Sequence, residues 1–464
     1  MKIEKVCSMK IISVLFLMLI SAISAADKPN FIIIFTDDQG YGDLSCFDSK
    51  TIKTPHLDSM AQSGIRFTNF YSASSVCTPS RAALLTGRMP KRTGMTNVLF
   101  PWSQNGLSPS EITIAEMLKG NGYKTALVGK WHLGHKKEFL PTSQGFDYYY
   151  GIPYSNDMSI APELDVAENV KLNNGYTMET VKEHKKIFRK QYRKIRNNMP
   201  IMRGTEIIEY PVDQRLITRK YTDEAVKFIN ESKDQPFFLY LAHTMPHLPL
   251  YIEDDFAGKS KGGKFGDIIE QIDWSVGKVL QALKANGLDK NTFVLFTTDN
   301  GPSSRAGGSA GPLKGHKFNT WEGGQRVPAI LTYPAKVKAG QTIDEMASTV
   351  DMFQTIASLS GAQVPDDRIY DGYDLSGLIQ NKTAKSPRNE FYYYRANSGT
   401  IDGVRMGKWK YIVKGGWRKN EQKKAALYNL EDDIAEENDL SEKFPEKVKE
   451  LSEAMKAFDA EVTK

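Results

Sequence analysis

The stretch Cys77-Thr78-Pro79-Ser80-Arg81-Ala82-Ala83-Leu84-Leu85-Thr86-Gly87-Arg88 sets a nucleophilic side chain where a helix should begin. Pro79 suits the first turn, the alanines and leucines continue it, and Gly87 can end it. Backbone donors and the dipole at a helix start favour an anion, and Arg81, four residues on, adds a fixed positive charge. Both features lower a thiol's pKa, so the pattern predicts a reactive cysteine. Elsewhere, polar groups follow directly on apolar runs. They are Thr36-Asp37-Asp38-Gln39, Gly129-Lys130-Trp131-His132, Ala242-His243-Thr244-Met245-Pro246-His247 and Thr297-Thr298-Asp299-Asn300.

The runs that precede them are Phe31 to Phe35, Thr125 to Val128, Phe237 to Leu241 and Phe293 to Phe296. Their continuous β-branched and aromatic character is that of strands buried on both faces. Helical stretches at Ile112 to Lys119, Thr218 to Asn230 and Ile268 to Ala285 alternate with them. The alternation predicts an α/β fold with a mainly parallel sheet flanked by helices. In such sheets ligands bind outside the carboxyl ends of the strands, so four strand ends would bring acids, amides, lysine and histidines to one edge. Beyond about Pro365 the pattern changes to short aromatic runs, Phe391 to Tyr394 and Trp409 to Val413, and a charged closing helix between Glu431 and Lys464. We read residues 27–370 as a catalytic domain and 371–464 as a smaller α+β subdomain with an antiparallel sheet.

Composition narrows the class. Of 464 residues, 40% are hydrophobic and 25% charged, which excludes disorder, collagen and coiled coil, and three cysteines exclude a disulfide scaffold. A net charge of +6 on so long a chain does not argue for nucleic acid. Lys2, Lys5 and Lys10 precede an apolar run, Ile11 to Ile20, and then the small residues Ser21 to Ala26. This reads as a secretory signal over residues 1–26, because the run is shorter than the roughly 20 residues of a spanning helix. The expected mature protein is periplasmic or secreted, with no stable membrane insertion. Signal removal leaves Cys46 and Cys77, which an oxidising compartment would allow to pair.

The Cys77 to Arg88 segment resembles, position for position, the type I sulfatase signature C-x-P-S-R-x-x-x-L-T-G-R. The resemblance implies the alkaline phosphatase-like fold and oxidation of Cys77 by a maturase to formylglycine, whose hydrated aldehyde is the nucleophile. Cys46 would then remain as a buried thiol. Asp37 and Asp38, in D-D-x-G-Y-G-D, and Asp299 and Asn300, in D-N-G-P, match the family's metal ligands, completed by residue 77. Such hard oxygen donors select Ca2+ or Mg2+ over zinc, and the resemblance implies Ca2+ with Mg2+ as the second choice. Lys130 and His132 match G-K-W-H-L-G; in an extended segment residues two apart face the same way. His247, in Met245-Pro246-His247-Leu248-Pro249, matches the family's later histidine, with His243 the second choice. Spacing to Trp321-Glu322-Gly323-Gly324 selects Lys317 over Lys314 as the last sulfate-binding lysine.

By that resemblance Lys130, Lys317 and Arg81 stabilise the sulfuryl group, His247 protonates the departing oxygen, and His132 takes the proton that regenerates the aldehyde. We expect an exo-acting sulfatase on sulfated saccharides, with galactose- or N-acetylgalactosamine-type sugars as candidates. The segment Lys182 to Arg196 reads as an amphipathic basic helix, suited to a polyanionic glycan or to a solvated face. Aromatic residues in Phe146 to Tyr154 suit either a sugar ring or the core. The rival readings are a hydrolase of phosphate diesters or phosphonates and a silent glycan-binding protein.

Overall fold

The structure is a computed structural model that describes residues 28–187, 189, 191–414 and 424–463. The expected leader, with Cys7, lies outside the described residues. Among the described residues no helix is long and apolar enough to cross a membrane.

The apolar run near the start forms β1 (Asn30–Thr36), all seven residues buried. The other expected runs form β2 (Lys124–Lys130), β3 (Phe237–Ala242) and β4 (Thr292–Thr298). They lie in the order β4-β1-β3-β2 and are all parallel, at the centre of an 11-stranded sheet whose outer strands include antiparallel pairs. Strand Tyr148–Ile152 continues the parallel set beside β2. Phe35 sits level with both Ala242 and Thr297, and Gly129 with Ala242. The carboxyl ends therefore finish together, and whatever follows each strand meets at one edge.

Helices Pro55–Ser63 and Ile217–Glu231 pack on the sheet, and Gly263–Ala285 packs against both of them. Helix α1 (Cys77–Thr86) packs with Ile114–Gly120 and Met352–Ser360. All ten residues of α1 are buried, and it ends at Gly87, whose φ of 67° lets its amide bond the Ala83 carbonyl at 2.9 Å. A Cβ at Gly87 would also strike Phe353. Past the main sheet, four antiparallel strands, Glu390–Tyr394, Ile401–Met406, Trp409–Lys414 and Lys424–Asn429, carry the closing helix Pro445–Glu461.

One expected element differs. The basic helix stops at Lys185 instead of running to Arg196, and a single 3-10 turn follows at Tyr192–Lys194. A continuous helix would stack Arg189 under Arg193 and Lys186 under Lys190, like charges four apart. With the helix ended at Lys185, Tyr192, Ile195 and Met199 are buried in the core.

The small sheet is tied to the main domain by a buried ionic cluster. The fully buried Glu322 carboxylate accepts from Tyr393 Oη at 2.6 Å and Lys410 Nζ at 3.0 Å. Lys410 Nζ also lies 2.8 Å from Glu436, whose other oxygen accepts the Glu322 amide at 2.7 Å. Burial pushes Glu322 up, but Lys410, Arg326 and Arg405 outweigh it and hold it at about 2. Glu436 shares the same lysine, and burial pushes it up to about 7. The folded chain thus keeps a proton that the unfolded chain loses near its ordinary value of 4.5. This carboxyl's stabilising contribution is full below about 4.5 and lost as pH rises through about 7. Urea midpoints followed across that window should fall less steeply for Glu436→Gln than for the parent, and equal slopes would refute the assignment.

Candidate active site

Each polar segment after a strand delivers side chains to the same buried edge. Arg81, from α1, places Nη2 and Nε at 2.8 and 3.1 Å from Asp299 Oδ2, and Nη2 lies 3.8 Å from Asp37 Oδ2. Its side chain is wholly buried, with the guanidinium 5.4 Å over the Phe35 ring. Lys130, the last residue of β2, donates to Asp37 Oδ2 at 2.5 Å and to Ser155 Oγ at 3.2 Å. Lys317 Nζ lies 2.6 and 2.9 Å from the two oxygens of Asp38. Lys314 turns away to the Glu436 carbonyl, 2.8 Å from it. Asn300 Nδ2 donates to Asp38 Oδ1 at 2.8 Å, and the Asp38 amide to Asp299 Oδ1 at 3.2 Å.

Burial would push Asp37 up, yet Lys130, His247, Arg81 and Lys317 together hold it well below the usual carboxylate range. Asp299 goes the other way, up to about 7, through burial and the nearby charge of Asp37 against the pull of Arg81. Lys317 is raised because Asp38 and its neighbours outweigh the opposing effect of burial.

The thiol differs from expectation. Cys77 is the first residue of α1, but burial pushes its pKa up, more than Lys130 and Lys317 pull it down. A helix start and nearby cations do not make a thiolate when water is excluded. Cys77 and Cys46 are both free, so the alternative of a disulfide between them is not realised. Cys46 is half-buried, not buried, with its amide donated to Asp58 Oδ1 at 3.0 Å; burial pushes its thiol up to about 12.

The histidines separate by environment. His132 is not in an extended segment: its φ is 62°, a left-handed turn after Lys130. Its Nε2–H donates to the Leu99 carbonyl at 2.9 Å, leaving Nδ1 buried and without a partner among the described residues. Burial, then Lys130, lowers its pKa well below the ordinary value, so the ring is neutral with a free lone pair. His247 Nδ1 faces two acceptors, Asn156 Oδ1 at 2.9 Å and the Leu248 carbonyl at 2.6 Å, which assigns the proton there. Its Nε2 points into the site, 3.7 Å from Asp38 Oδ2. Burial and Lys317 lower its pKa. His243 is a core residue beside Ser275, pushed down to about 3 by burial, and stands apart from the site.

Ser155 and Asn156 went unremarked in the sequence reading although they touch Lys130 and His247. They follow the parallel strand Tyr148–Ile152, so the strand-end rule applied to a fifth run would have found them. The aromatic side chains of that stretch are committed elsewhere. Phe146, Tyr149, Tyr150 and Tyr154 are buried, Phe146 against Trp131 and Phe238.

The donor set fits a hard divalent cation. Asp37 Oδ1 and Asn300 Oδ1 are buried oxygens with no partner among the described residues, which is costly unless something takes them. Asp37, Asp38 and His247 offer ligand atoms within 4.8 Å of one another. Above them opens a cavity of about 840 Å³, floored by Asp38, His247 and Lys317. A sulfatase family model matches residues 29–362. The chain belongs to the sulfatase family. A second model, the C-terminal region of N-sulphoglucosamine sulphohydrolase, matches residues 316–461.

Relatives agree along most of this sulfatase. Human steryl-sulfatase is 38% identical over 80% of this chain and 73% of its own length. Human arylsulfatase A is 38% identical over 85% and 77%, and rat N-acetylgalactosamine-6-sulfatase 37% identical over 84% and 72%. The solved structure of Ps i-CgsB in complex with k-i-k-neocarrahexaose superposes with a TM-score of 0.80 at 32% identity, covering 93% of both chains. The PsFucS1 sulfatase from Pseudoalteromonas sp. gives 0.80 at 27% identity, covering 94% and 91%. This sulfatase is a sulfuric ester hydrolase.

Charge pairing at the site has a stability consequence. Lys130→Met should cost about 3–5 kcal/mol, because it strands the buried Asp37 carboxylate. Adding Asp37→Asn should recover part of that loss in chemical denaturation, and a strictly additive second loss would show that the two do not act as a pair.

Proposed function

We propose that this sulfatase is an exported enzyme removing sulfate from saccharides, using formylglycine at position 77 and Ca2+, with Mg2+ as the alternative ion. The observation that carries the chemistry is the convergence of Arg81, Lys130, Lys317 and His247 on one cation-ready acidic cluster, with residue 77 at the start of the helix that carries Arg81. Asp37, Asp38, Asp299, Asn300 and residue 77 would hold the ion. Formylglycine would supply a hydrated aldehyde as nucleophile toward sulfur, and the ion would offset negative charge there.

The chain's own groups do the remainder. Arg81 and Lys130 are locked by Asp299 and Asp37, so their charge is already oriented when the ester arrives. Lys317, paired to Asp38, adds positive charge on the pocket side. His132, neutral with Nδ1 bare, is suited to take a proton from the hydroxyl left at position 77. His247 presents Nε2 to the pocket. Its depressed pKa opposes a resting proton there, but an anionic sulfate beside it favours the protonated form that would serve the departing oxygen.

The saccharide reading rests on the similarity to Ps i-CgsB with its neocarrahexaose and to N-acetylgalactosamine-6-sulfatase, together with a pocket of small-molecule size. A galactose- or N-acetylgalactosamine-type sugar, attacked from a chain end, is the specific form we favour. We also propose the division at 370/371 and maturation by a formylglycine-generating enzyme.

Peptide mass spectrometry of active protein should find the Cys77 sulfur replaced by an aldehyde oxygen, and full turnover by unmodified Cys77 would refute the mechanism. His132→Ala in matured protein should lower kcat by about 10²–10⁴. Calcium at about 100 times its Kd should stabilise metal-stripped protein by about 2.7 kcal/mol, and Asn300→Ala should erase most of that gain. Matured enzyme should release sulfate from a panel of sulfated saccharides while leaving phosphodiesters intact. Turnover of aryl sulfates alone would overturn the saccharide reading.

A further inference from the structure

The cavity has more positive charge than the hydrolytic site uses. Arg81 and Lys130 are wholly buried and Lys317 is committed to Asp38. Three further arginines line the same cavity: Arg193 on the turn Tyr192–Lys194, Arg196 beyond it, and Arg305 on the loop after β4. Arg196 Nη2 is paired to Asp157 Oδ2 at 3.2 Å. Arg193 and Arg305 make no ion pair among the described residues, and both are exposed. They come from segments more than a hundred residues apart and meet only at this opening. Asp157 lines the same cavity, and its Oδ2 is held by Arg196.

Uncommitted guanidiniums lining one pocket are matched by a planar or tetrahedral oxyanion, which accepts paired N–H donors. The scissile sulfate is provided for at the floor, so the anion at the rim belongs to another part of the substrate. We infer that Arg193 and Arg305 form a second anion subsite. The preferred substrate is then a saccharide bearing another oxyanion besides the scissile sulfate. The oxyanion is a second sulfate ester or a uronate carboxylate, which share this chemistry. The inference rests on the saccharide reading above.

The test is binding to full-length Cys77→Ala protein loaded with calcium, which cannot turn over its ligand. The probes are a galactose carrying one sulfate, the same sugar carrying two, and a monosulfated galactose–uronate disaccharide, each titrated by calorimetry. The doubly charged ligand that matches the rim should bind about tenfold tighter than the monosulfate. The arm that shows this advantage identifies sulfate or carboxylate. Arg193→Ala combined with Arg305→Ala should collapse the ratio toward one, whereas Arg305→Lys should keep part of it and show that the fold is intact. Equal affinity for all three ligands, or a ratio unmoved in the double variant, would overturn the subsite. Absence of saccharide turnover by the matured enzyme would instead overturn the substrate reading, independently of this ratio.

Discussion

Charge neutrality in a water-free interior governs this structure. Asp37, Asp38 and Asp299 are brought to one buried edge by strands that end level, where an uncompensated charge costs several kcal/mol. Arg81, Lys130 and Lys317 answer them, each from a different segment. No member can be placed without the others, so helix α1, the end of β2 and the long loop after β4 are held in mutual register. In the proposed mechanism the same pairing would hold these cations ready for a sulfuryl group. Stability and chemistry therefore draw on one set of contacts.

The support continues outward. Lys317 sits on a loop whose neighbours are held by the small sheet: Lys314 by the Glu436 carbonyl, and Glu322 by Lys410 and Tyr393. The C-terminal sheet is thus a brace for the lysine nearest the substrate, linked to it through a second buried ionic cluster. Asp43, in the D-D-x-G-Y-G-D stretch, does similar work at an earlier point of the loop that carries Lys317. Its carboxyl accepts the Gly40 amide at 2.6 Å and the Ser309 amide at 2.7 Å, fixing the loop on which Arg305 lies.

Much of this was legible because strands buried on both faces leave a long apolar imprint. Phe31 to Phe35 and Phe293 to Phe296 announced β1 and β4, and the strand-end rule then gathered Asp37, Lys130, His247 and Asp299 before any geometry was known. What escaped depends on contacts that local pattern does not carry. The left-handed turn at His132 follows from packing against Leu99, and the raised Cys77 thiol follows from burial that a helix-start pattern cannot report. The basic segment after Met178 has helical periodicity, but Tyr192 and Ile195 find the core only if the helix breaks. The motif alone favours His247 over His243; in the structure His243 lies against Ser275 in the interior and His247 against Asn156 at the pocket.

The central claim is that this charge set serves attack at sulfur, sparing the sugar carbon. Hydrolysis of a sulfated saccharide by matured enzyme in heavy-oxygen water reads it directly, through mass spectrometry of both products. The account predicts that the freed sugar hydroxyl keeps its original oxygen and that the label appears in the released sulfate. Label in the sugar hydroxyl would mean carbon–oxygen cleavage and would contradict it.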